Sequence, residues 1–264
     1  MKPSHVMAAV VFLLACITTT ACTKKAEQTN VTQSKQTDPW VSWYGGYRLH
    51  LSLAEPMQLT EMTSLPEILK RKWNAEAKVY HEAAPDKVIT LSSCKDYLAQ
   101  SNLPLWSVKE YESIWFINNA VMCRATQIML TGTKPEKTYL QGLQFDKSLP
   151  AKLPVNLSLN TVLNEPSGLA RIKADKSLKL WRDVARISKV EVLDPVHAIY
   201  RDDSGGIQEL ELVAKADFNG DKIEDMLITS RDSVVGGSYK AVRLFMLSKH
   251  SETGDVVLLN EYAY

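Results

Sequence analysis

Apolar and polar positions divide the chain into three regions of different character. Residues 6–17 (VMAAVVFLLACI) are apolar throughout and uncharged, whereas 23–38 (TKKAEQTNVTQSKQTD) are polar, without an aromatic and with Val31 as their only large apolar residue. From Pro39 onward apolar residues recur at spacings that predict regular elements. Leu49, Leu51 and Leu53 alternate after Tyr47 and predict a half-buried first strand. Ser64-x-x-Glu67 is a capping-box pattern, and Leu65, Ile68, Leu69, Trp73, Ala77 and Tyr80 follow at helical spacing. They predict a helix over 65–83, with Pro85 just beyond it. Ser93 predicts the cap of a short helix through Cys94, Tyr97 and Leu98. Ser107-x-x-Glu110 and the stripe Tyr111, Ile114, Trp115, Val121, Ala125, Ile128 and Met129 predict a longer helix that stops at Gly132.

Beyond Leu149 the pattern shortens. Pro150, Pro154 and Pro166 break any long helix up to Gly168, leaving a connector with one strand near 155–159. Residues 190–200 and 207–216 read as strands joined through the turn residues Arg201-Asp202-Asp203-Ser204-Gly205-Gly206. Further strands are predicted at 226–231, 239–248 and 255–262, separated by Gly236-Gly237 and Thr253-Gly254. The expected class is therefore α+β, a helical N-terminal half packed on a mainly antiparallel β C-terminal half. Expected boundaries are a leader at 1–21, a tether at 22–38, a helix-rich region at 39–150 and an antiparallel region at 151–264, with 39–264 long enough for one core or two packed subdomains.

The short apolar run fits a secretory leader. At about 12 residues it falls short of the ~20 that a helix needs to cross a ~30 Å hydrocarbon core. Ala21-Cys22, a small residue directly before a cysteine, resembles the lipobox of bacterial lipoproteins, and Leu13-Leu14-Ala15-Cys16 is a second match. The resemblance implies lipidation at Cys22, with Cys16 and ordinary signal-peptidase cleavage as the alternatives. It also implies a membrane-anchored envelope protein, held in the outer membrane and facing the periplasm because Thr rather than Asp follows Cys22. The polar stretch after it cannot bury enough surface to offset chain entropy and reads as a flexible tether. Lys plus Arg (31) nearly balances Asp plus Glu (30), which speaks against a nucleic-acid partner and leaves the membrane and an envelope or cell-surface protein as the expected ones. Cys94 and Cys123, alone in a chain bound for an oxidising compartment, predict a disulfide rather than a metal site, with two buried free thiols as the alternative.

One stretch carries chemistry. Asp217, Asn219, Asp221 and Asp225 stand at positions 1, 3, 5 and 9 of a loop, and Ile223 at position 7 can offer its backbone carbonyl. Calcium takes about six to eight oxygens at ~2.3–2.6 Å, and alternate residues of a curled loop can aim theirs at one centre. The spacing resembles the calcium loops of EF-hands, dockerins and FG-GAP repeats. Residues 216–247 also look like the C-terminal part of uncharacterised proteobacterial secreted proteins that carry a single such loop. Calcium is the cofactor this resemblance implies. Two departures weaken the site: Lys222 occupies the sharp position 6, usually Gly, and Ile228 replaces the bidentate Glu at position 12. Asx-turns joining two strands are the alternative reading. The loop occurs once, so a propeller is excluded. His50, His81, His197 and His250 show no ligand spacing, and no nucleophile elbow is present. The sequence therefore points to a non-enzymatic, partner-binding or structural envelope protein. Its alternative is a periplasmic hydrolase whose carboxylates converge only in the fold.

Overall fold

The computed structural model describes residues 40–55, 65–159, 172 and 174–263. The predicted leader, Cys16, Cys22 and the tether lie outside them, as do Ser64 and the 160–168 part of the connector. Thr37–Tyr264 forms one compact unit.

Strand outweighs helix, and the helical N-terminal half expected from the sequence is not there. That half carries a sheet of its own: β2 (Lys72–His81) pairs with β3 (Ala84–Ser93) and with β4 (Leu105–Ser107), all antiparallel, in the order β3-β2-β4. The helix predicted over 65–83 ends after α1 (Leu65–Lys70), and the chain continues as strand β2. Trp73, Ala77 and Val79 are buried and alternate with exposed Lys72, Asn74, Glu76 and Lys78. Their apolar positions fit period two as well as the helical period, and the long hairpin to β3 decides for strand. Pro85 sits near the start of β3, at a sheet edge where a missing N–H is tolerated.

The predicted first strand is also corrected. Leu49–Ser52 is a 3-10 turn that buries Leu49 and leaves Leu51 65 % exposed, so Leu49 and Leu51 do not share a face. The strand in this region is the two-residue β1 (Ser42–Trp43). The two later helices form, but the Ser107-x-x-Glu110 capping box does not: Ser107 ends β4, and Lys109 stands at the N-cap of the second helix with no side-chain hydrogen bond. Ser93 caps α2 (Cys94–Gln100) by accepting from the Asp96 N–H, and α3 (Glu110–Met129) stops before Gly132. Tyr111, placed on the apolar stripe of α3, is instead 76 % exposed beneath the Lys109 ammonium. Cys94 and Cys123 form a disulfide with Cα atoms 5.2 Å apart, stapling α2 to α3.

The C-terminal half is an antiparallel meander as expected, but the single strand predicted over 190–200 is a hairpin, because Pro195 and Val196 form a turn in its middle. β5 (Ile187–Asp194), β6 (His197–Asp202), β7 (Gly206–Ala216), β8 (Asp225–Val234), β9 (Lys240–Ser248) and β10 (Val257–Ala263) lie side by side in chain order. β1 joins this sheet along the C-terminal end of β7. The strand expected at 155–159 is a 3-10 turn, Val155–Leu157.

Both faces of the large sheet are covered. Leu227, Val242, Leu244 and Met246 pack with α3, the small sheet and Tyr47, while Leu210, Met226, Ile228, Phe245 and Leu247 face Phe145, Leu149, Leu157 and Trp181. Alternation along β8 and β9 thus serves two cores. On β7 a bulge between Leu212 and Ala214 puts the neighbours Val213 and Ala214 in the same core. Arg243 is fully buried beside the second core. It bonds Asp232 through Nε at 2.9 Å and Nη2 at 2.8 Å, and donates to the carbonyls of Asn156 and Ser158 at 3.0 and 2.7 Å, pinning the 156–158 turn to the sheet.

Candidate functional site

The loop between β7 and β8 is shaped by its own acidic and amide side chains. Asp217 accepts from the N–H of Gly220 at 2.7 Å and of Lys222 at 2.9 Å. Asn219 Oδ1 accepts from Asp221 N–H at 2.9 Å, and Asp221 Oδ1 from Ile223 N–H at 2.8 Å. Among the described residues Lys222 is the one non-glycine in the left-handed region, with φ 69°, so the sharp position 6 is strained as its residue type implies. The segment after α3 clamps the loop: Thr133 and Asp217 exchange backbone hydrogen bonds, Lys222 C=O accepts from Glu136 and Lys137, and the Lys222 ammonium reaches Glu136 at 2.7 Å. No hydrogen bond among the described residues engages the Ile223 carbonyl.

Asp225, at position 9, is wholly buried as the first residue of β8. Its Oδ2 accepts from Phe218 N–H at 3.0 Å, while Oδ1 makes no well-formed hydrogen bond. Burial pushes this carboxyl up to about 6, and the charges of Asp221 and Asp217 add to the effect. The Ser248 hydroxyl, its register partner on β9, and the Phe218 N–H act in the opposite direction. The five predicted ligands Asp217, Asn219, Asp221, Ile223 and Asp225 are therefore on one curled loop. The three carboxylates are not gathered within 4.8 Å of one another. In such loops position 9 commonly reaches the cation through water, which tolerates the longer span.

A second cluster escaped the sequence reading. His197, Glu209 and Glu211 bring one donor atom each within 4.8 Å of one another, a group that could hold a metal ion. Strand register builds it: His197 on β6 stands opposite Glu211 on β7, and Glu209 and Glu211 share a face of β7. His197 Nε2 lies 2.8 Å from Glu209, and its Nδ1 lies 3.9 Å from both Glu211 and Asp194. Two guanidiniums compete for the same acids. Arg48 grips the buried Glu211 carboxylate with two donors, and Arg231 Nη1 reaches Glu211 at 3.1 Å and Glu209 at 3.5 Å. Burial would raise Glu211, but the hydrogen bonds from Arg48 and Arg231 outweigh it and hold the carboxyl below the usual range.

A cleft of about 480 Å³ is lined by His197 and Glu211 of this cluster and by Trp43, Tyr44 and Tyr47. Trp43 stacks on Tyr47 with ring centroids 6.3 Å apart. Gly46 lets this segment press against β7, since a Cβ there would overlap the Leu212 carbonyl. The histidines, read from the sequence as lacking ligand spacing, thus include one that the fold places among carboxylates. The signal available was Glu209-x-Glu211, two acids on one face of a strand, and it lacked a partner until β6 was in register.

No family model matches this chain, no curated protein matches it, and no solved structure matches it. No helix among the described residues is long and apolar enough to cross a membrane.

Proposed function

We propose that the chain is an envelope lipoprotein, anchored through Cys22 in the outer membrane, whose non-enzymatic domain binds a partner or supports the cell surface. In this reading a weak calcium site clips the 217–225 loop to the segment after α3. One observation carries the calcium reading: the Asp225 carboxyl is buried beside the charges of Asp217 and Asp221, with no well-formed hydrogen bond at its Oδ1, an arrangement that a cation would relieve. The open Ile223 carbonyl and the loop-shaped backbone support the same assignment. Lys222 and the missing twelfth-position acid make the affinity low. The address rests on the apolar run and Ala21-Cys22.

Thermal unfolding of residues 23–264 in chelator and in millimolar calcium, with Asp221→Ala alongside, tests the clip. At ten times its Kd, calcium stabilises by roughly 1.4 kcal/mol, a rise of about 3–5 °C for a domain of this size. The variant should lose that rise, and an unchanged midpoint at every calcium concentration would reduce the loop to a turn. Radiolabelled fatty acid incorporated into the wild-type chain and absent from Cys22→Ala tests the anchor.

The second reading, a hydrolase or metal centre, is favoured by the convergence of His197, Glu209 and Glu211, of which His197 and Glu211 line a cleft. Arg48 and Arg231 oppose it, because a divalent cation would have to displace them or share their carboxylates. Zinc titration of wild type and His197→Ala separates the two: zinc binding that depends on His197 would favour the metal centre.

A further inference from the structure

Another cavity lies elsewhere and holds about 540 Å³, within the ~300–1,000 Å³ typical of small-molecule sites. Ile117, Ala120 and Val121 of α3 line it, together with β4 and the chain leading into β4, and with Glu261 and Tyr262 of the edge strand β10. Two large apolar side chains in its lining, Leu103 and Trp106, are 57 % and 50 % exposed. Open apolar side chains around a concavity suit an apolar ligand.

The polar part of the lining is unbalanced. Arg124 donates to Gln127 Oε1 at 2.6 Å and to Ser101 Oγ at 3.0 Å, both neutral, and no carboxylate among the described residues pairs with it. Lys240, also in the lining, makes no ion pair among the described residues either. The single acid, Glu261, is already engaged by Arg243 at 3.3 Å. The cavity therefore combines an apolar wall with a half-buried guanidinium and an ammonium that lack a counter-charge. A guanidinium fork matches a planar carboxylate with two parallel hydrogen bonds, and the ligand's remaining surface must be apolar to suit α3 and Trp106.

We propose that this cavity binds an apolar monocarboxylate, its chain or ring against Ile117, Val121 and Trp106 and its carboxylate on Arg124 and Lys240. None of these residues belongs to the calcium-type loop or to the His197 cluster, so the inference stands or falls separately from both.

Residues 23–264, which contain the compact unit Thr37–Tyr264 whole, are titrated by calorimetry with decanoate below its micelle concentration. Decanol and decyltrimethylammonium serve as neutral and cationic probes of the same chain length. Saturable one-to-one binding of decanoate is expected, with decanol weaker by roughly tenfold and the cation not bound. Arg124→Met should erase the preference for decanoate over decanol, and Ser113→Trp, which puts an indole into the cavity, should abolish both. Absence of saturable decanoate binding would overturn the proposal, as would equal affinity for all three probes or unimpaired binding by Ser113→Trp. The comparison of probes on the wild-type chain needs no variant to fold.

Discussion

Replacing Arg243 with Met removes the charge that organises the second core while keeping most of the side chain's apolar stem. The wild-type guanidinium and Asp232 are 1 % and 0 % exposed, so each has left water almost completely. Without the arginine, Asp232 keeps Ser230 Oγ and Gln208 Nε2 as donors but loses its counter-charge. The Asn156 and Ser158 carbonyls lose the donors that hold the 156–158 turn. Breaking one side of a buried pair costs about 3–5 kcal/mol, because the partner stays buried and uncompensated. For a domain of this size that lowers the thermal midpoint by roughly 6–20 °C. Asp232→Asn should cost less, since Arg243 still has Glu261 at 3.3 Å and its carbonyl acceptors. The double variant should cost less than the sum, with a coupling of about 1–3 kcal/mol. Urea unfolding supplies these values from the midpoint at constant slope. An Arg243→Met chain within about 1 kcal/mol of wild type would refute the reasoning, because a carboxylate this deep has no other route to charge compensation.

Three further outcomes follow from the geometry. Gly46→Ala forces a Cβ into the Leu212 carbonyl, backbone against backbone, and should cost about 2 kcal/mol or more in the same urea assay; a smaller loss would mean that the aromatic segment can lift from β7 at little cost. Glu211 is held below its ordinary value of 4.5, so its contribution is present at neutral pH and is lost as pH falls below about 4.5 through the folded-state value. A wild-type stability profile that drops there, and a shallower one for Glu211→Gln, is the expected pair of curves. Replacing both Cys94 and Cys123 with Ala opens a cross-link between positions 29 residues apart and should cost roughly 3–4 kcal/mol, read as a lower urea midpoint than that of the oxidised wild type.

How much of this molecule could be read from its sequence depends on the range over which each feature is written. The meander was legible because β7 to β9 carry short apolar, β-branched or aromatic runs bounded by Gly and Asx turn residues that act within four positions. The α2 cap and the disulfide were legible for the same reason, a local cap pattern and an isolated cysteine pair. Lys72–His81 was misread because Trp73 and Ala77, spaced four apart, satisfy both a helix and a strand, and only the β3 partner, with Leu91 opposite Ala77 and Ile89 opposite Val79, separates the two. Leu49, Leu51 and Leu53 alternate as a strand should, yet the chain turns there so that the Tyr47 hydroxyl can reach Thr126 of α3 at 2.7 Å, a contact that spans 79 positions.

The charged clusters lie at the far end of this scale. Arg48 meets Glu211 across 163 positions, and His197 meets it only through the β6–β7 register. No spacing rule reports such meetings, and residue type alone cannot, because each of these side chains would look like an ordinary solvated charge. The same holds for Arg124 and Lys240, which share a cavity because α3 packs against β9 and β10. Local pattern thus identifies the calcium-type loop, whose candidate ligands lie within nine residues, whereas the cavity and the ionic cluster exist only once two sheets and a helix are assembled. Finding which site the protein uses therefore calls for ligand titration of the folded domain, since the most legible motif need not be the most used surface.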